Sequence, residues 1–298
     1  MMKTEALDPR YRDLEFWPTQ QAVEAMLEGQ MAAVAAIHSQ TTAIAAAAEA
    51  AAERLGTSGR LVFVGAGTSG RLGVQDGVEL NPTFGWPMER LVFLMAGGLD
   101  AMTEAYEGAE DDSESARAEI AQSRICREDV VIGIAASGRT PYTIAAVEAA
   151  RAAGALTIAV ANNAGSVLAA CAEHAIVAVT GSEVLAGSTR MKAGTAQKAI
   201  LNLLSTAIML RMGLVYDGRM VAMRITNEKL LQRGCSMVQD IAGVDEAAAM
   251  AALDLARNDI RLGILVAKGL SAEEGARQLA TSGGDLRRIL PALERRES

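Results

Sequence analysis

Two short loops carry the residue types from which an anion site is built. Gly65-Ala66-Gly67-Thr68-Ser69-Gly70-Arg71 follows the apolar run Leu61 to Val64, and Ala135-Ala136-Ser137-Gly138-Arg139-Thr140-Pro141 follows the apolar run Val130 to Ile134. Both contain Ser-Gly-Arg. A loop that leaves the C-terminal end of a parallel strand and opens a helix presents unpaired peptide N–H groups and the positive end of the helix dipole, and small residues let an anion come close. Gly67, Thr68, Ser69 and Gly70 in the first loop, and Ser137, Gly138, Arg139 and Thr140 in the second, are therefore expected to cradle a phosphate, with Arg71 and Lys192 as further cations. The same residue types also make tight turns and helix caps, a reading that suits either loop alone better than both together. A third Ser-Gly-Arg, Ser58 to Arg60, precedes a strand and is read as a turn. The Gly65-x-Gly67-x-x-Gly70 spacing also matches a dinucleotide fingerprint. That scheme lacks a well-placed ribose acid, since Ala96-Gly97-Gly98 separates Asp100 from its strand, and it leaves the second loop without a role.

Carboxylates supply the remaining chemistry. Glu79 falls nine residues after Gly70, late on the helix that the first loop opens and just before Pro82, which is expected to end it. Glu110 lies in the acidic run 107–112 after the second strand; such a run is ordinarily a solvated face, but its place after a strand makes it a candidate. The chain has only two histidines, His38 and His174, and three dispersed cysteines without CxxC spacing. That is little material for a metal centre, a Ser-His-Asp triad or a disulfide framework, so no metal is expected and the chemistry is expected to run on carboxylates.

Positioning such loops takes a sheet. Five apolar runs, at 61–64, 91–95, 130–134, 156–160 and 175–179, are apolar on both alternating faces and separated by Ala/Glu/Arg-rich helical stretches, which predicts a doubly wound α/β sandwich of buried parallel strands. Residues 1–58 are expected to form an N-terminal helical segment packing on the core, 59–234 the sandwich domain, and 235–298 a small all-helical domain with breaks at Gly243, 257–259, Gly269 and 282–284. The apolar helix 191–212, closed by Gly213, and a mean hydropathy of +0.18 suggest a homodimer. Half of the 298 residues are apolar, enough for a sizeable core, and the net charge of −8 argues against nucleic acid and anionic membrane surfaces as partners. The stretch 31–52 is read as a soluble, alanine-rich helix rather than a membrane span, and the start has neither signal-peptide nor transit-peptide character, so a cytoplasmic location is expected.

The runs GAGTSGRLG (65–73), ELNPTFG (79–85), EGAED (107–111), IAASGRTPY (134–142), GSTRMKAGTAQK (187–198) and TNEKL (226–230) closely resemble those of the N-acetylmuramic acid 6-phosphate etherases, over about residues 55–235. The resemblance implies a sugar isomerase (SIS) domain, usually dimeric, followed by small C-terminal helices. It implies cleavage of the D-lactyl ether of a phosphorylated amino sugar to N-acetylglucosamine 6-phosphate and D-lactate without metal or nucleotide, in peptidoglycan amino-sugar recycling. By the same resemblance Glu79 is the proton donor and Glu110 the second catalytic carboxylate, while Thr68, Ser69, Ser137, Gly138, Arg139 and Thr140 match the phosphosugar loops. Glu110 would take the C2 proton acidified by the open-chain aldehyde, Glu79 would protonate the departing lactyl oxygen, and Lys192 is a candidate for steadying the C1 oxyanion. Two stretches depart from the family's usual pattern: the N-terminal segment with Leu7-Asp8-Pro9-Arg10-Tyr11 and Phe16-Trp17-Pro18, and Asp76-Gly77-Val78. The alternatives are a non-catalytic sugar-phosphate-binding regulator and a sugar-phosphate isomerase, neither of which needs an acid aimed at C3.

Overall fold

The structure is a computed structural model that describes residues 3–104, 106 and 108–297, with side chains to residue 293. Three short 3-10 turns lead into α1 (Thr19–Ala36) and α2 (Thr41–Leu55). The chain then alternates β1 (Leu61–Gly65), α3 (Gly67–Phe84), β2 (Leu91–Met95), α4 (Ser113–Gln122), β3 (Val130–Ala135), α5 (Pro141–Ala152), β4 (Leu156–Ala161), α6 (Val167–Cys171) and β5 (His174–Val177). The long helix α7 (Lys192–Arg211) follows, and then α8 (Glu228–Ala242), α9 (Glu246–Leu255), α10 (Ile260–Ala267), α11 (Ala272–Ser282) and α12 (Leu290–Glu297). The five strands form one parallel sheet in the order β2-β1-β3-β4-β5.

Every residue of β1, β3 and β4 is buried, which is why these strands read as unbroken apolar runs rather than alternating ones. One face of the sheet, through Val62, Val64 and Val131, packs on Ala116 and Ile120 of α4 and on Tyr142, Ala145 and Ala146 of α5. On the other face Phe63 and Phe93 stack with ring centroids 5.9 Å apart, and α3 lies on them at Gly77. A Cβ at Gly77 would fall 2.4 Å from Phe93 Cε1, so the departure at Asp76-Gly77-Val78 is a packing solution: the bulky pair needs a helix residue without a side chain.

By contacts the chain forms two compact units, one of residues 1–77 and 89–207, the other of residues 78–88 and 208–298. Two of their boundaries fall inside α3 and α7 and the third in the 3-10 turn Met88–Arg90, none of them at the sequence divisions 58/59 and 234/235. The second unit has its own core, in which Cys235, Met237 and Val238 of α8 meet Leu253 of α9, Ile264 and Leu265 of α10, and Leu286. Its helices end where the glycines stand, with Gly243 and Gly283 left-handed at the C-termini of α8 and α11.

Two local expectations are corrected, and a third is qualified. The N-terminal helical stretch is two helices, parted by a 3-10 turn over Ile37–Gln40 that contains neither glycine nor proline. Pro82 does not end α3, which continues to Phe84, where Asn81 accepts from Gly85 N (2.9 Å). The whole stretch Thr19–Leu55 is long and apolar enough to cross a membrane by length and composition, yet α2 turns Ile44, Ala47, Ala48, Ala51 and Leu55 into the core. Helix α1 leaves an apolar stripe open, at Val23, Leu27, Met31 and Val34, which recur every three or four residues.

Candidate functional site

The strand order reverses at β1: the chain leaves β1 to form β2 on one side and returns to form β3 on the other. At such a switch point the loops leaving two neighbouring strands part, and a crevice opens at their C-terminal ends. Gly65 is paired with Ile134, so the loops after β1 and β3 emerge side by side. They wall a cavity of about 410 Å³. Gly67, Thr68 and Ser69 line it from the first loop, Ser137, Arg139 and Thr140 from the second, and Glu110 and Asp111 from the 3-10 turn Ala109–Asp111.

Each loop is held by tight turns that its sequence dictates. A Cβ at Gly70 would lie 2.7 Å from the Gly65 carbonyl oxygen, so the glycine spacing read as a possible fingerprint is what allows β1 to turn directly into α3. Gly70 and Gly138 shape their turns and do not line the cavity, whereas Gly67 does both. Two helices begin at its wall: α3 at Gly67, and α5, whose N-cap Thr140 makes no side-chain capping bond and precedes Pro141 at the first turn. Their free N–H groups and dipoles favour an anion here. The N-terminus of α7 is not available in the same way, because the buried Glu183 carboxylate already accepts from Lys192 N (2.8 Å) and Ala193 N (2.9 Å).

The two loop serines differ in what they can offer. Asn162 Nδ2 donates to the Ala178 carbonyl (3.1 Å), which leaves Asn162 Oδ1 to accept from Gln197 Nε2 (3.0 Å) and Gln197 Oε1 to accept from Ser69 Oγ (3.0 Å). One carbonyl thus fixes the polarity of the whole buried relay and takes the Ser69 proton away from the cavity. Ser137 Oγ instead accepts from Arg139 N (3.1 Å), and its proton remains free to donate. Arg139 is exposed, is the one basic residue lining the cavity, and its side chain makes no hydrogen bond or ion pair among the described residues.

Several expected cations lie elsewhere. Arg71 donates to the carbonyls of Ala101 (2.9 and 3.0 Å) and Glu104 (3.1 Å), bracing the segment after β2. Lys192 is buried outside the cavity wall, with Nζ on the Ser182 carbonyl (2.8 Å), and burial pushes its ammonium pKa down. Neither is placed to meet a ligand of this cavity. Arg60 of the third Ser-Gly-Arg, read as a turn, pairs with the buried Asp129 (2.6 Å). Glu79 is exposed on α3, twelve residues beyond Gly67 in sequence, and does not line the cavity. Within the acidic run Asp112 caps α4 through Glu114 N and Ser115 N, and Glu107 lies outside the described residues. The cavity also contains two residues that sequence reasoning did not single out, Glu5 and Thr189. Thr189 lay within a quoted motif; Glu5 had no local signal at all. Among the described residues no cluster of His, Cys, Asp or Glu could hold a metal ion.

Comparison with known proteins adds the following. Residues 42–151 match the model of the glucokinase regulatory protein N-terminal SIS domain and residues 110–207 that of the SIS domain. A curated protein of Deinococcus radiodurans named N-acetylmuramic acid 6-phosphate etherase is 45% identical over 289 residues, 97% of this chain and 95% of that protein. A protein of the same name from Symbiobacterium thermophilum is 52% identical over 230 residues, 77% of this chain and 76% of that protein. Among solved structures, a Bacteroides fragilis protein described as a phosphosugar isomerase involved in capsule formation superposes with a TM-score of 0.53 at 21% identity, covering 67% of this chain and 95% of that one. It shares the α/β SIS-type fold.

Proposed function

The chain belongs to the N-acetylmuramic acid 6-phosphate etherase family, and from that premise we propose that it cleaves the D-lactyl ether of N-acetylmuramic acid 6-phosphate, releasing D-lactate and N-acetylglucosamine 6-phosphate. The observation that carries this reading is the meeting of Glu110 with both Ser-Gly-Arg loops around one cavity. The phosphate is held by the N-termini of α3 and α5, the Ser137 and Thr140 hydroxyls and Arg139, which supply local attraction in a chain of net charge −8.

Glu110 takes the C2 proton of the open-chain sugar, whose C1 aldehyde stabilises the resulting enolate. The C3–oxygen bond breaks as Glu79 protonates the lactyl oxygen, leaving an unsaturated aldehyde and free D-lactate. Water adds at C3, giving its proton back to Glu79, and Glu110 returns its proton to C2, so both carboxylates end as they began. Glu79 is not among the residues that line this cavity in its own chain. We therefore include a homodimer in the proposal, with the acid supplied by Glu79 of the partner subunit. The open apolar stripe on α1 supports self-association.

The test is to incubate the protein with N-acetylmuramic acid 6-phosphate and assay D-lactate. Lactate release that is lost with the dephosphorylated sugar supports the proposal. Reversible aldose-ketose conversion of a sugar phosphate without lactate would point to an isomerase, and binding without turnover to a regulator.

A further inference from the structure

The start of the chain departs from the family's usual pattern, yet it is fastened into the cavity wall. Thr4, four residues from the N-terminus, is completely buried. Its hydroxyl accepts from Asn163 Nδ2 (3.0 Å), its carbonyl accepts from Gly187 N (3.0 Å), and Lys3 N donates to Asn163 Oδ1 (3.1 Å). Asn163 Nδ2 also donates to the carbonyl of Ala136 (2.9 Å), a residue of the second phosphate loop that lines the cavity. This hook fixes the next residue: Glu5 lines the cavity beside Thr68, Ser137, Arg139 and Glu110, and a Cβ at Gly187 would lie 3.0 Å from Glu5 Oε2.

Glu5 is exposed and hydrated until a ligand covers it, and beside a bound phosphate its carboxylate is unfavourable unless it faces a different part of the ligand, because like charges repel. An ionised carboxylate only accepts hydrogen bonds. Within the hook Glu5 only accepts, at the limit of hydrogen-bond length, from the Thr4 hydroxyl (3.5 Å to Oε1), while Thr4 and Lys3 reach Asn163 and Gly187 through their own groups, so most of the carboxylate's acceptor capacity is left for a ligand. We propose that Glu5 is a substrate-binding residue that reads the sugar rather than the phosphate, accepting hydrogen bonds from the neutral donors of an N-acetylated amino sugar, its hydroxyls or its amide N–H, with Thr4 as the residue that positions it. The etherase reading names the sugar, but binding can be measured without turnover.

The experiment is calorimetric titration of the full chain with N-acetylglucosamine 6-phosphate and, separately, with inorganic phosphate. Glu5→Ala should weaken the sugar phosphate about 10-fold or more, the range for losing a hydrogen bond to a charged group. It should leave inorganic phosphate unchanged or bind it more tightly, since a nearby negative charge has gone. Glu5→Gln, which keeps an acceptor oxygen, should recover part of the loss. Thr4→Val should weaken the sugar phosphate too, and the Thr4→Val/Glu5→Ala pair should be no worse than Glu5→Ala alone, as expected when one residue acts through the other. Sugar-phosphate affinity within twofold of wild type in Glu5→Ala overturns the proposal, as does an equal loss for sugar phosphate and inorganic phosphate, or no binding of the sugar phosphate to the wild-type chain. If the wild type binds the sugar phosphate in a Glu5-dependent way yet releases no lactate, Glu5 stands and the etherase reading falls. If lactate is released and Glu5→Ala changes nothing, the reverse holds.

Discussion

What a hydroxyl can do for a bound phosphate depends on where its proton already goes. Ser69 and Ser137 are equivalent in sequence, each in a Ser-Gly-Arg loop, but the Asn162–Gln197 relay takes the proton of Ser69 while Ser137 keeps its own. Gln197→Met leaves the Ser69 donor and the Asn162 acceptor unpaired in a buried place, which costs about 1–3 kcal/mol. A lower Tm is expected, and a variant as stable as wild type would show the relay to be idle. Arg139→Ala, by contrast, removes a cation from an exposed position and should leave Tm alone. It should raise KM about 10-fold or more, by an amount that shrinks as salt is added, because the lost partner is a charge-assisted one. The local part of this site was legible in the sequence: Thr68, Ser69, Ser137, Arg139 and Thr140 sit within seven-residue loops whose glycines announce them. Gln197, Asn162, Asn163 and Glu5 were not, because each meets the loops only after the sheet has brought distant segments together. Nor could residue type alone reveal that Arg71 and Lys192 spend their charge on carbonyls of the scaffold.

The strands were the most legible elements, since a strand buried on both faces leaves a continuous apolar run, and all five were placed to within two residues. Their order is a different matter. Nothing local says that β2 lies outside β1, yet that reversal creates the crevice. The break between α1 and α2 also had no proline or glycine to mark it. At the other end of the sheet, Arg60 and Asp129 tie the starts of β1 and β3 together. Burial alone would raise the Asp129 pKa, but the Arg60 guanidinium and the peptide N–H groups of Cys126 and Arg60 hold its carboxyl below the usual value of 3.8. Asp129→Ala leaves the half-buried Arg60 without its partner and should destabilise the fold by about 3 kcal/mol. A folded-state pKa below the unfolded one gives stabilisation that is present above the unfolded value and lost as pH falls through the folded one. The Tm gap between wild type and Asp129→Ala should therefore be full at pH 7 and narrow below pH 4; a gap independent of pH would contradict the assigned ionisation.

For the molecule as a whole, the sequence pointed to self-association through the apolar helix α7, but most of its apolar residues up to Leu204 are buried within the chain, and the open apolar stripe lies on α1. Light scattering should give twice the 31.1 kDa chain mass. Leu27→Asp with Met31→Asp should shift it towards one chain mass and abolish lactate release while N-acetylglucosamine 6-phosphate still binds, because in the proposed dimer one chain builds the phosphate cradle and its partner supplies the acid. A monomeric variant with full turnover would remove the partner's Glu79 from the reaction. The central claim, elimination across C2–C3 followed by addition of water, is tested most directly by turning over N-acetylmuramic acid 6-phosphate in deuterated, oxygen-18-enriched water and locating the labels. The expected product is N-acetylglucosamine 6-phosphate with deuterium at C2 and oxygen-18 at C3, beside D-lactate that keeps its original ether oxygen. Oxygen-18 in the lactate hydroxyl, or product without deuterium at C2, would contradict it.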